Sequence, residues 1–237
     1  MEFEYEEAKG IYTFVKFGKI EHLKMLQKGR LHVQMLKKFK DMVEDESGRA
    51  DNYEGASAVY QTDKINVTFN AVKVPSKELV GTVNVHLDRH LRYYVFCLYA
   101  LNAGKYYDSK VSLEDYKAFL KLNSKANKLG NHLLLFKNPE AFSEKIKATA
   151  KAQGLNVQAQ PVKYYDNKKF HGKIPDEFIG FTKPTSFSHQ NEYRIVFKDC
   201  DWPQETHIFD IGDLSDITEI FTVEQFNNTI EVQAPSD

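Results

Sequence analysis

The sequence predicts an α+β protein in which strands dominate and two or three helices cover one side. Three observations carry this. Short runs rich in β-branched and aromatic residues recur along the whole chain. Two segments open with strong helix-start signals, at Ser112 and at Asn138. No internal repeat, low-complexity tract or linker interrupts the 237 residues, so residues 1–237 are expected to form a single domain.

Residues 11–17 read as a strand. Ile20, Leu23 and Leu26 share one helical face, and Gly29 is a C-terminal stop. Residues 30–33 suit a second strand, followed by an apolar turn at Met35, Leu36 and Phe39. Residues 41–55 form a long polar, charged stretch, the pattern of a functional loop. Short strands are expected at 58–60, 65–69, 72–74 and 80–85. Residues 93–99 are apolar on both faces, which places them in a central strand.

Ser112 caps a helix expected to bury Leu113, Tyr116 and Leu120. Residues 132–136 read as a buried strand. Asn138-Pro139-Glu140 starts a helix with Phe142, Ile146 and Ala150 on its face, and Gly154 ends it. Residues 157–165 are a strand or an edge, 178–184 an apolar stretch broken by Pro184, and 193–197, 208–211 and 217–223 further strands.

Composition narrows the function. Hydrophobic residues make up 42% and charged residues 27%, which permits an ordinary core. Aromatics reach 13%, suiting sheets or a ring-lined cleft. The net charge of -1 announces no bulk attraction to nucleic acid. Cys97 and Cys200, far apart, argue against a disulfide framework or cysteine zinc site and for a reducing cytoplasm; Cys97 reads as inert packing. The acidic start lacks a signal-peptide pattern, and no apolar run reaches the length of a membrane span.

Three constellations stand out. In residues 186–197 a polar loop runs into a strand. Gln190 and Glu192, two apart, point to one face. A carboxylate beside an amide can hold a ribose hydroxyl, orient a nucleophile and stabilise positive charge on a sugar carbon. The bland alternative is an edge strand with solvated polar residues. The second is Arg49-Ala50-Asp51-Asn52-Tyr53-Glu54-Gly55. Arg49 suits a pyrophosphate, while Asp51 and Glu54 could bind a metal or pair with Arg49. A solvated loop is equally compatible. The third, His86 to Arg92, places two histidines at i and i+4, but Leu87 stands where a zinc protease needs Glu. A turn before the central strand explains it best, a basic surface touching phosphate next and a metal site least. Trp202 reads as a packing anchor.

The order of these pieces resembles the ADP-ribosyltransferase-like superfamily, closest to bacterial toxin and phage-defence members that modify DNA or messenger RNA. The opening Ile11-Tyr12-Thr13-Phe14, the helix ending at Gly29, Arg30-Leu31-His32-Val33, the Arg49-to-Gly55 loop and Gln190-Asn191-Glu192-Tyr193-Arg194 carry the resemblance. It implies split, mostly antiparallel β-sheets around an NAD cleft. It implies Glu192 as the catalytic acid on the nicotinamide ribose, with Gln190 positioning the acceptor. Where the superfamily has a first-strand His or Arg, this chain has Tyr12 and Lys16, so Arg49 becomes the candidate NAD contact; Tyr60 or Tyr99 would replace the middle-strand serine. The implied partners are NAD as substrate, a nucleic-acid acceptor and an antitoxin. Two rivals stand beside it: a non-catalytic binding module on the same fold, and a metal-dependent nuclease using Asp51, Glu54 and Glu192.

Overall fold

A computed structural model describes residues 3–42, 50–122 and 130–233. The first strand, β1 (Ile11–Gly18), leads through α1 (Ile20–Gln27) to β2 (Arg30–Met35) and a short α2 (Leu36–Lys40). Gly29 ends α1 in a left-handed conformation at φ 84°, and a Cβ there would lie 1.9 Å from the Gly212 carbonyl oxygen. Glycine is therefore required by backbone angle and by space.

The meander comprises β3 (Ala56–Gln61), β4 (Val67–Phe69), β5 (Val72–Val74) and β6 (Thr82–His86). A single turn, α3 (Asp88–Leu91), precedes β7 (Tyr94–Asn102), and α4 (Leu113–Leu120) follows it. Next come β8 (His132–Phe136), α5 (Pro139–Ala152), β9 (Asn156–Pro161), β10 (Lys163–Tyr165), β11 (Gly172–Lys173) and β12 (Thr182–Pro184). The chain continues with β13 (Glu192–Lys198), β14 (Thr206–Asp210), β15 (Thr218–Thr222) and α6 (Val223–Thr229). The class is α+β with mostly antiparallel pairing, as the sequence predicts; the pair β10–β12 is parallel.

Strand β7 organises the main eight-stranded sheet. One of its edges pairs with β13 along Glu192–Phe197, and β13 pairs in turn with β9. Its other edge is shared: β1 takes the end at Tyr99–Asn102 and β2 the end at Tyr94–Val95. Strand β1 continues to β8 and β15, and β2 continues to β14. Helix α1, joining β1 to β2, thus bridges the two arms where they diverge. A separate three-stranded sheet, in the order β11-β3-β6, lies apart from this one.

The largest core gathers Leu23 and Leu26 of α1, Phe96 and Leu98 of β7, Phe142, Ile146 and Ala150 of α5, and Ile195 and Phe197 of β13. The helix residues among them are those expected on the faces of α1 and α5, except that Ile20 is only half-buried and stays outside the cluster. The Asn138 carboxamide oxygen accepts a 2.9 Å bond from the Ala141 amide, and Pro139 opens the helix, so the start signal acts as predicted. Trp202 packs in this region, stacked on His207 with ring centroids 4.0 Å apart.

Two expectations need correction. Helix α4 is capped by Ser112 as predicted but buries none of its residues, and Leu113 is exposed. Its apolar spacing is met by aromatic contacts of Tyr116 and Phe119 with Tyr106 instead of by the core. The bland picture of residues 190–197 as an edge strand also fails, because β13 is flanked on both sides and Glu192 and Arg194 are buried. Among the described residues no helix is long and apolar enough to cross a membrane.

Candidate functional site

A corner of backbone builds the site. A 3-10 turn, Thr185–Gln190, ends at Asn191, which adopts the left-handed conformation at φ 41°. Asparagine tolerates that conformation better than most residues. The corner is pinned by two bonds: the Asn191 carbonyl accepts from the Ala100 amide at 2.8 Å, and its side-chain amide donates to the Tyr99 hydroxyl at 3.0 Å. Strand β13 then begins at Glu192, whose amide donates to the Tyr164 hydroxyl at 2.8 Å.

The period of two then takes over. Glu192 and Arg194 lie on the face opposite Tyr193, Ile195 and Phe197. The Arg194 guanidinium donates from Nε to Glu192 Oε1 at 2.8 Å, and from Nη1 to the Gly180 carbonyl at 2.7 Å. Toward Glu54 it makes a bidentate pair, 2.7 Å on each side. The Lys183 ammonium on β12 lies 2.9 Å from Glu192 Oε2 and donates to Gln190 Oε1 at 2.7 Å. Glu54, Lys183, Gln190, Glu192 and Arg194 are all buried.

The loop that delivers Glu54 is the second constellation of the sequence. Asp51 Oδ1 accepts the Tyr53 amide at 2.8 Å, and the Asp51 carbonyl accepts the Glu54 amide at 3.0 Å. This side-chain-to-backbone turn is what Asp at such a position does well. It folds Asp51 and Glu54 inward together. The two segments read separately in the sequence therefore meet, joined by Arg194 and Glu54.

Electrostatics divide the carboxylates. Burial by itself would raise Glu192, but Arg194 and Lys183 more than offset it and hold the acid well below the usual carboxylate range. Asp51 shows the opposite balance. Burial and the neighbouring Glu54 raise it to about 7, against weaker pulls from Lys183 and Arg194. Its Oδ2 has no hydrogen-bond partner among the described residues. Cys97 is pushed up to about 12, by burial first and then by Glu192, which keeps its thiol protonated and unreactive.

A cavity of about 260 Å³ adjoins this centre, lined by Asp51, Tyr53, Asn167, Pro184 and Phe187 among others. Phe187 belongs to both, since the Lys183 ammonium lies 5.1 Å from its ring centroid. A larger cavity of about 440 Å³ lies between α5 and the sheet, walled by Phe14, Phe142, Ile146 and Tyr193. It is on the opposite, apolar face of β13, and its described lining includes no carboxylate.

The sequence-predicted residues are placed unequally. Gln190 and Glu192 converge through Lys183, and Tyr99 stands directly opposite Glu192 in the β7–β13 register. Tyr12 lies on β1, mostly exposed, with its hydroxyl against that of Tyr116. Tyr60 lies on β3 in the separate sheet, edge-on to His171. Arg49 lies outside the described residues. His86 ends β6 while His90 sits in α3, so the two do not share a helix. Among the described residues no group of three His, Cys, Asp or Glu side chains could hold a metal ion.

Sequence reading missed Lys183 and the role of Arg194. A signal existed: each is a lone cation inside an otherwise apolar stretch, and such a charge must find a buried partner. Compared with models of protein families, with curated proteins and with solved structures, the chain matches none of them.

Proposed function

We propose that the chain is a cytoplasmic, NAD-dependent ADP-ribosyltransferase that modifies a macromolecule, RNA or DNA foremost, in a toxin or anti-phage role. The observation that carries this is the corner at Gln190-Asn191-Glu192. It fixes a carboxylate that Arg194 and Lys183 hold well below the usual carboxylate range, with a carboxamide on the same lysine, at the start of a central strand and near a cavity. A carboxylate held this way suits a donor whose sugar carbon turns cationic as nicotinamide leaves, because the negative charge is in place before the reaction. The mostly antiparallel sheet, with β1 and β2 diverging from one edge of β7, is compatible with the fold the resemblance implies.

The cations take different parts in this proposal. Arg194 is anchored by Glu54 and the Gly180 carbonyl and stays with Oε1 of Glu192. Lys183 is the movable partner on Oε2. On donor binding its ammonium turns to the pyrophosphate, freeing Oε2 for a ribose hydroxyl.

The test is direct. The protein is incubated with NAD labelled in its adenosine part and separate pools of RNA, DNA and protein. Label in one pool supports the proposal, and neither transfer nor nicotinamide release from any pool overturns it. Glu192→Gln should abolish transfer. Because that change leaves Arg194 and Lys183 short of a negative charge, a melting curve must accompany it.

One observation favours a second reading, a binding module without donor chemistry: both Glu192 oxygens are already occupied by cations. Calorimetry at saturating NAD separates the two, since no heat and no thermal shift would remove the donor altogether.

A further inference from the structure

The cavity between α5 and the sheet is a groove that runs along the helix and changes character across its width. Helix α5 supplies two adjoining rows to it. Phe142, Ile146 and Ala150 are buried against the sheet. Ser143, Lys147 and Lys151 each follow one residue later and form the rim, where both lysines are exposed. Positions four apart stand one above another on a helix, so both rows follow its axis. From Lys147 back to Pro139, which lines the other end, the helix rises ~12 Å.

The sheet makes the floor. Tyr193 and Ile195 of β13 lie there beside Phe14 of β1, whose ring centroid is 4.5 Å from that of Tyr193. The far wall is β9, where Ala159 stands opposite Ile195 in the register and is exposed. Its methyl group leaves space that a larger side chain would fill. A volume of about 440 Å³ is in the range of small-molecule sites, and apolar walls with few polar groups are their usual lining.

Charge selects the ligand. Neither Lys147 nor Lys151 forms an ion pair among the described residues, and the described lining holds no acid. The negative end of the α5 dipole opposes an anion there, but it amounts to about half a charge against two full positive ones. A narrow apolar channel with two cations toward one end suits an unbranched chain that carries one negative end group. The ~12 Å rise matches the tail of decanoate.

We propose that this groove binds a medium-chain fatty acid, with its tail along Phe142 and Ile146 toward Pro139 and its carboxylate between Lys147 and Lys151. The site lies on the face of β13 opposite the Glu192 centre and stands without the transferase reading.

Calorimetric titration of the full chain with decanoate, below the concentration at which it forms micelles, tests this. Saturable binding is expected. Octanoate, shorter by two CH₂ groups, should bind about tenfold weaker. Decyltrimethylammonium, with the same tail and the opposite charge, should also bind about tenfold weaker. Lys147→Gln with Lys151→Gln should weaken decanoate about tenfold and leave decanol unchanged, because only the carboxylate uses the lysines. Ala159→Phe should fill the groove and weaken decanoate and decanol alike. All three positions are exposed, and melting curves that match wild type show the variants folded. Where Ala159→Phe melts lower, the lysine pair alone decides.

No saturable binding of decanoate, equal binding of octanoate or of the cationic amphiphile, or unchanged decanoate affinity in the folded lysine variant overturns the proposal. Full decanoate binding by folded Ala159→Phe overturns it as well, since the ligand would then sit elsewhere.

Discussion

The two faces of β13 are built from alternate residues of one strand and obey opposite rules. On one face Ile195 and Phe197 join the apolar core with α1 and α5. On the other, Glu192 and Arg194 enter a buried network with Glu54 and Lys183. The apolar face stabilises simply by leaving water, at roughly 25 cal/mol per Å². The charged face pays a desolvation penalty that its pairing only partly recovers. A strand built for stability alone would bury apolar residues on both sides. Strand β13 instead buries Glu192 and Arg194 on one face, and the segments around it bury Glu54, Lys183 and Gln190 beside them, a concentration of buried polar groups of the kind that functional sites carry.

The contrast can be broken most sharply at Glu54. Glu54→Ala leaves the Arg194 guanidinium buried without its bidentate partner, and should destabilise by about 3–5 kcal/mol in denaturant unfolding. Removing both charges, as Glu54→Ala with Arg194→Met, should cost far less than the sum of those two single changes. If the single and double changes simply add, the network is not a coupled unit.

On the apolar face Ile195→Ala should lose about 3 kcal/mol through transfer and cavity terms, with no dependence on pH. A pH-dependent loss there would show that the two faces are coupled through the strand.

Asp51→Asn should go the other way. Asp51 is raised to about 7 in the fold, whereas in the unfolded chain it is ionised above about 4. The folded state therefore holds a proton more readily, and the cost of ionising Asp51 falls on the fold as pH rises from 4 to 7. Glu54 adds to that cost, and Lys183 and Arg194 reduce it. At pH 8 the variant should gain about 2 kcal/mol, below the roughly 4 kcal/mol ceiling because the new N–H₂ lacks an acceptor. The gain should vanish near pH 4. Glu192 works with the opposite sign: its stabilisation is complete above about 4.5 and disappears as pH falls through its much lower folded value.

The smallest effect lies far from both faces. Asn138→Ala removes the cap of α5 and should cost about 1 kcal/mol. A larger loss would show that the helix start also holds the apolar cavity beneath it.

Local physics made much of the fold legible in the sequence. Residues 11–17, the helix that stops before Gly29, the central strand near 93–99 and the helix that begins at Asn138 all follow from periodicity and capping, which act over a few residues. The site was legible only in pieces. Gln190 and Glu192 on one face followed from the period of two, and the inward acids Asp51 and Glu54 were noticed as a loop. Their joining could not be read, because Arg194 and Glu54 are 140 residues apart in the chain. Nothing local in Glu54 says which cation it will meet. Helix α4 was misjudged for the same reason: spacing shows that one face is apolar, but only the packed structure decides what covers it. The sequence by itself determined the α+β class, its strands and caps, and the acid at the head of β13. The tertiary structure decided that this acid is gripped by Lys183 and Arg194 while burial and Glu54 raise Asp51, because burial and long-range pairing, not residue type, set the charge of a carboxyl group.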